Sequence, residues 1–235
     1  MSKKTGNISK TATNAEIDAF IQKVAMAPVL GPSGERGRLI FALDATASRE
    51  PTWDRACQIQ GHMFQEAGSV GGLEIQMSYY RGFGEFRASE WLTDSAQLVR
   101  QMTGVFCLGG QTQIEKVLKH AIAEANSRKV NAVVFVGDCM EESVDELCRL
   151  AGELGILGVP TFIFQEGDEP IAMRAFKQIA RLTGGAHCSF DSSSADQLRD
   201  LLSAVAVFAA GGRKALENFS KRAGREVLLI AQQVK

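Results

Sequence analysis

The sequence predicts an α/β fold: a doubly wound, mostly parallel sheet with one antiparallel edge strand and helices on both faces. Three observations lead to it. Segments of strand character alternate with segments of helical period, joined by short connections. The stretch "NAVVFVGD" (131–138) is almost continuously apolar and β-branched, as a strand buried on both faces must be. The stretch "RGFGE" (81–85) separates two strand-like runs, the pattern of a hairpin that turns the chain back at a sheet edge.

The elements follow in order. Residues 14–27, "NAEIDAFIQKVAMA", set Ile17, Phe20, Ile21 and Val24 on one face behind Asn14 as N-cap, and Pro28 ends this helix. The glycine-rich "GPSGERG" (31–37) lacks the Lys–Ser/Thr pair of a phosphate loop and precedes a strand where such a loop follows one, so it reads as a flexible entry. The first strand lies within "RLIFALDATAS" (38–48), and a helix is expected from near Thr52 to about Ala67. The strand "LEIQMSYY" (73–80) leads through the hairpin to "FRASEW" (86–91), then to helices at about 94–102 and 113–126. After strand 131–138 come a helix at 142–154, the strand "VPTFIFQ" (159–165), a helix at 170–183, a short strand at 186–191 and a helix at 194–209. Gly211 and Gly212 close that helix, and residues 213–235 form a further amphipathic segment with Leu216, Phe219 and Val227 to Ile230 as its apolar positions, weakened by Gly224. It packs back on its own domain or, alternatively, serves a second copy of the chain. The organisation is an N-terminal helix and linker (1–35), one domain (36–210) and a C-terminal helical extension (211–235).

Composition excludes several classes of function. With 235 residues, 45% of them hydrophobic, the chain suits one good-sized core. A formal net charge of -1 and the lack of a Lys/Arg stripe argue against a nucleic-acid partner. The longest apolar run, "LLSAVAVFAA" (201–210), is half of what a bilayer requires, and no signal-peptide core follows "MSKK". No membrane association and a cytoplasmic location are therefore expected. The five cysteines are dispersed without a CxxC pair, as reduced thiols are, and the three histidines show no zinc-site spacing.

Chemistry gathers at the strand ends. In an open α/β sheet, ligands bind outside the carboxyl ends of the strands. The first strand ends in Asp44, Thr46 and Ser48, alternate positions that share one side of an extended segment. Strand 131–138 ends in Asp138, and "CLGGQTQIEKVL" sets Thr112 in a glycine-bearing loop before a helix. Two carboxylates and three hydroxyls select a hard cation, Mg²⁺ first, with Mn²⁺ or Ca²⁺ as substitutes, and leave a coordination position for an outside oxygen. Taken singly, Asp44 and Thr112 each also read as caps of the helices that follow them.

D-A-T-A-S at 44–48, Thr112 in a G-G-x-T loop and Asp138 after an apolar strand together resemble the metal-ion-dependent adhesion site of von Willebrand factor type A domains. The strand–helix order from about residue 36 to 210 is similar to that family too. Its first motif is D-x-S-x-S, and Thr46 replaces the first serine while keeping the hydroxyl. The resemblance implies that Thr46 and Ser48 are direct hydroxyl ligands and that Asp44 and Asp138 bind directly or through water. It implies that Thr112 is a ligand sensitive to conformation, and that the sixth position belongs to water or to an Asp or Glu of a partner protein. Arg49, Arg81, Phe83 and Glu141 are expected on the rim facing that partner, with Glu50 and Glu142 beside them. The expectation is a non-catalytic protein-binding module. One alternative is a metal-dependent hydrolase or phosphotransferase with Asp44 as nucleophile, although Thr46 stands where such enzymes place a second aspartate. Another is an assembly protein acting through its terminal helices.

Overall fold

The computed structural model describes Ala19, residues 36–51, Trp53, and residues 73–190 and 195–220. The helices expected at 14–27 and over most of 52–67, and the stretch 221–235, lie outside the described residues.

A six-stranded sheet has the order β3-β2-β1-β4-β5-β6. The strands are β1 (Gly37–Asp44), β2 (Leu73–Arg81), β3 (Glu85–Ala88), β4 (Ala132–Gly137), β5 (Thr161–Glu166) and β6 (Ala186–Phe190). All pairings are parallel except β2 with β3, the hairpin at the edge. The expected sheet, with its antiparallel edge strand, is the observed one. Every residue of β1 and of β4 is buried, which is why both read as unbroken apolar runs.

Alternation along the strands feeds two cores. Leu39, Phe41 and Leu43 with Val134, Val136, Phe162 and Phe164 face α1 (Ser95–Thr103) and the first part of α5 (Ala195–Ser220). Ile40, Ala42, Val133, Phe135 and Ile163 face α2 (Ile114–Ser127), α3 (Val144–Ile156) and α4 (Pro170–Thr183). Each fully buried Leu, Ile, Val or Phe contributes about 1.5–3 kcal/mol, so this double layer holds the strand ends in fixed register. Helix α5 is interrupted at the expected glycine pair, where Gly212 has a non-helical backbone (φ 66°, ψ -162°), and a second helical stretch continues to Ser220. Strand β3 is shorter than expected: the ladder is interrupted where the Ser89 hydroxyl accepts from Met77 N–H (3.0 Å) and resumes only as a bridge between Leu92 and Ile75, while Trp91 packs on the Arg38 guanidinium, 3.7 Å from its ring centre. Among the described residues no helix is long and apolar enough to cross a membrane.

The close approach of α5 to β1 depends on Gly37, where a β-carbon would lie 1.9 Å from the Ala209 carbonyl oxygen. Gly37→Ala must push helix and sheet apart, and a loss of about 1–3 kcal/mol is expected, to be read from thermal unfolding.

Candidate metal centre

The register brings the strand ends to one rim. Asp44 stands opposite Tyr80 on β2, and Leu43 opposite Val136 on β4, so Gly137 lies beside Asp44 and Asp138 is the next residue. A β-carbon at Gly137 would lie 3.4 Å from the Asp44 β-carbon, which shows how closely the two strand ends abut. The loop after α1 is tied to the same edge: Leu108 N–H donates to the Ala45 carbonyl (3.0 Å), and Gln111 N–H to the Gly82 carbonyl (3.3 Å). Trp53 holds it from the other side, its indole N–H donating to the Val105 carbonyl (2.9 Å).

Within this rim Asp44 is fully buried. Its Oδ1 accepts from Thr46 N–H (2.8 Å) and its Oδ2 from the Tyr80 hydroxyl (2.9 Å). Burial pushes the Asp44 carboxyl above its ordinary value and the charge of Asp138 adds to this, while the bonds from Thr46 and Tyr80 act the other way. The Tyr80 phenol is pushed well up, first by burial and then by Asp44, so it stays a donor. Thr46 and Ser48 lie with their hydroxyls 3.1 Å apart, Thr46 just before a short 3₁₀ turn at Ala47–Arg49 and Ser48 within it. Asp138 Oδ1 is buried and has no hydrogen-bond partner among the described residues.

Thr112 is buried, and its hydroxyl accepts from Glu141 N–H (3.0 Å) while its own N–H donates to the Glu141 carboxylate (3.2 Å). It does not cap α2. That task falls to Glu142, whose carboxylate accepts from Ile114 N–H (2.8 Å) and Glu115 N–H (2.7 Å). A carboxylate suits a helix N-terminus, where unpaired amides and the dipole favour negative charge. Glu141 and Glu142 thus lock the loop after β4 to the loop that carries Thr112.

The expected rim is rearranged. Phe83 is exposed at the hairpin tip, and Phe106 and Leu108 are exposed beside it. Arg81 is engaged, paired with Glu85 (3.0 Å), donating to the Phe106 carbonyl (3.0 Å) and lying 4.2 Å from the Phe106 ring centre. Arg49 is not on the rim: its side chain is fully buried and ion-paired with Glu166, the last residue of β5. The 3₁₀ turn swings it inward, away from the solvent that the neighbouring Ser48 faces. Sequence reading missed Tyr80 and Glu166, and set Glu142 beside the rim without foreseeing that it caps α2. Only Tyr80 had a signal, since it closes the strand neighbouring β1.

Among the described residues no group of three or more His, Cys, Asp and Glu is placed to hold a metal. The candidate donors along this edge, two carboxylates and three hydroxyls, are oxygen chemistry that suits Mg²⁺ or Mn²⁺ and does not suit zinc. The orphaned Asp138 oxygen beside a buried Asp44 fits a cation, because a cation would satisfy both.

No family model matches the sequence, and no curated protein matches it. Solved structures do. The von Willebrand factor type A protein from Catenulispora acidiphila superposes with a TM-score of 0.59 at 14% identity, covering 74% of this chain and 43% of that one. The SpRpn10 VWA domain gives 0.58 at 13% identity, covering 74% of this chain and 95% of that domain. The chain has the von Willebrand factor type A fold. Under half of the Catenulispora protein is spanned, whereas nearly the whole SpRpn10 domain is. A third match is the pilus adhesin SpaC from Lactobacillus rhamnosus GG in its open conformation, with a TM-score of 0.58 at 11% identity over 82% of this chain and 31% of that one. In this VWA fold the candidate centre lies at the carboxyl edge of β1 and β4, at the point where the strand order reverses.

Proposed function

We propose that this VWA domain is a non-catalytic binding module that holds a divalent cation, Mg²⁺ in the cytoplasm, and through it an Asp or Glu of a partner protein. The observation that carries the reading is the pair of carboxylates on neighbouring strand ends, one fully buried and one with an orphaned oxygen, beside the paired hydroxyls of Thr46 and Ser48. Two carboxylates set side by side at a poorly hydrated strand edge repel each other, and a hard cation relieves that repulsion. Asp44, Asp138, Thr46, Ser48 and Thr112 would hold the ion, which supplies an electron-poor position for an outside carboxylate. The VWA fold itself is a module that generally mediates protein interactions. The exposed Phe83, Phe106 and Leu108 beside the centre offer apolar contact to residues flanking the partner's acid.

Mn²⁺ titration followed by water-proton relaxation tests this reading. Expected is saturable binding of one ion per chain, with the relaxation enhancement falling when a Glu-containing peptide displaces bound water. An absence of saturable Mn²⁺ binding would overturn it.

A further inference from the structure

A guanidinium buried beside a cation site is an unusual neighbour. Arg49 follows the hydroxyl loop of β1, and Glu166 ends β5, with β4 between those two strands. The ion pair therefore crosses the end of β4, where Asp138 sits. The Arg49 side chain is fully buried, and that of Glu166 is 15% exposed. Asp44 and Asp138 are also close enough for their charges to act on the guanidinium. Three carboxylates thus share one fixed positive charge in a region that water hardly screens.

We propose that the Arg49–Glu166 pair is a built-in charge regulator that sets how strongly Asp44 and Asp138 attract a divalent cation. Arg49 is a resident monovalent competitor for the two carboxylates, and Glu166 offsets its charge so that they remain available to an incoming ion. Neither residue needs to touch the ion. Both act through the potential at the carboxylates. The inference rests on the metal reading above and goes beyond it by assigning the affinity to a pair outside the ligand set.

Electrostatics makes the two halves of the pair act with opposite sign. Glu166→Gln keeps the shape but leaves the guanidinium to Asp44 and Asp138, raising the positive potential at those carboxylates, and Mn²⁺ binding is expected to weaken roughly tenfold or more. Arg49→Met keeps much of the apolar stem while removing the competitor, and binding is expected to tighten by roughly tenfold. The double variant returns close to wild type. A pair that only braces the loop predicts a different pattern, in which both single variants weaken binding and the double does so as well.

Mn²⁺ affinity of the full chain, measured by titration calorimetry, decides the matter, with thermal unfolding in chelator showing that each variant is folded. Should Arg49→Met fail to fold, Glu166→Gln and Arg49→Lys carry the test, the first weakening binding and the second leaving it near wild type. Unchanged affinity in Glu166→Gln, or weakened affinity in a folded Arg49→Met, overturns the proposal while the metal reading stands. A wild-type chain that binds no Mn²⁺ overturns the metal reading, and the regulator with it.

Discussion

Asp138→Ala is expected to abolish useful Mn²⁺ binding and, in chelator, to raise the stability of the protein above that of wild type. The two effects share one cause. Asp138 Oδ1 is buried with no hydrogen-bond partner among the described residues, and its charge works against the ionised form of Asp44. A buried polar atom left unsatisfied costs about 1–3 kcal/mol, so its removal should return roughly 1 kcal/mol once the small cavity is counted. The same removal takes away one of two carboxylates that balance a divalent charge. Loss of an outer-shell group alone costs up to about 100-fold in metal affinity, and loss of a ligand should exceed that. Calorimetric titration with Mn²⁺ and thermal unfolding in chelator read the two effects separately. A destabilised Asp138→Ala would assign Asp138 a structural task and remove the main support for a cation there.

Glu124→Ala is expected to have the largest effect on stability. At the opposite, amino edge of the sheet, Arg38 is 5% exposed, and its guanidinium donates to Glu124 (3.1 Å) and to the carbonyls of Arg128 (2.9 Å) and Lys129 (3.3 Å). The Glu124 carboxylate also accepts from the Trp91 indole (2.9 Å) and from Gln76 (3.3 Å), whose amide oxygen meets His120 Nε2 at 2.8 Å. Removing Glu124 leaves Arg38 with Glu74 at 3.7 Å as its remaining carboxylate among the described residues. Breaking a buried pair costs about 3–5 kcal/mol, and the lower end applies because the Glu124 side chain is 24% exposed. Denaturant unfolding should show a lower midpoint with an unchanged slope.

The same cluster sets an acid dependence. Burial holds His120 below its ordinary value, opposed by the charge of Glu124. The unfolded chain therefore takes up this proton first, and the contribution is complete above about pH 6.5 and lost progressively as pH falls below it. For Glu124, burial pushes the carboxyl up, but the bonds from Trp91 and Gln76 and the charges of His120 and Arg38 outweigh it, and the net shift is downward. Its contribution is present above about pH 4.3 and is lost as pH falls through the folded value. In Glu124→Ala the lower step should vanish. The upper step should deepen, since His120 then lacks the charge that raised it.

Much of this architecture was legible in one sequence. Burial on both faces makes β1 and β4 near-unbroken apolar runs, and a strand that must end at the sheet edge delivers its last residues there, so Asp44 and Asp138 could be placed together. Hydroxyls at alternate positions share a side by the geometry of extended backbone, which put Thr46 and Ser48 in the set. The capping alternative was settled only by the fold, where Glu142 occupies the amides at the start of α2 and Thr112 pairs with Glu141 instead.

What the residues determined by themselves was therefore the mostly parallel sheet, its antiparallel edge and the oxygen-bearing strand ends, because each follows from local periodicity, while the strand order and its reversal point came from the fold. Tertiary structure alone decided where the long charged side chains went: Arg49 inward to Glu166, Arg81 to Glu85, Arg38 to Glu124. A charged side chain can rest in water or pair with any opposite charge the fold brings within reach, and its neighbours in sequence do not say which. Arg49 and Glu166 stand 117 residues apart and meet only because β4 inserts between their strands.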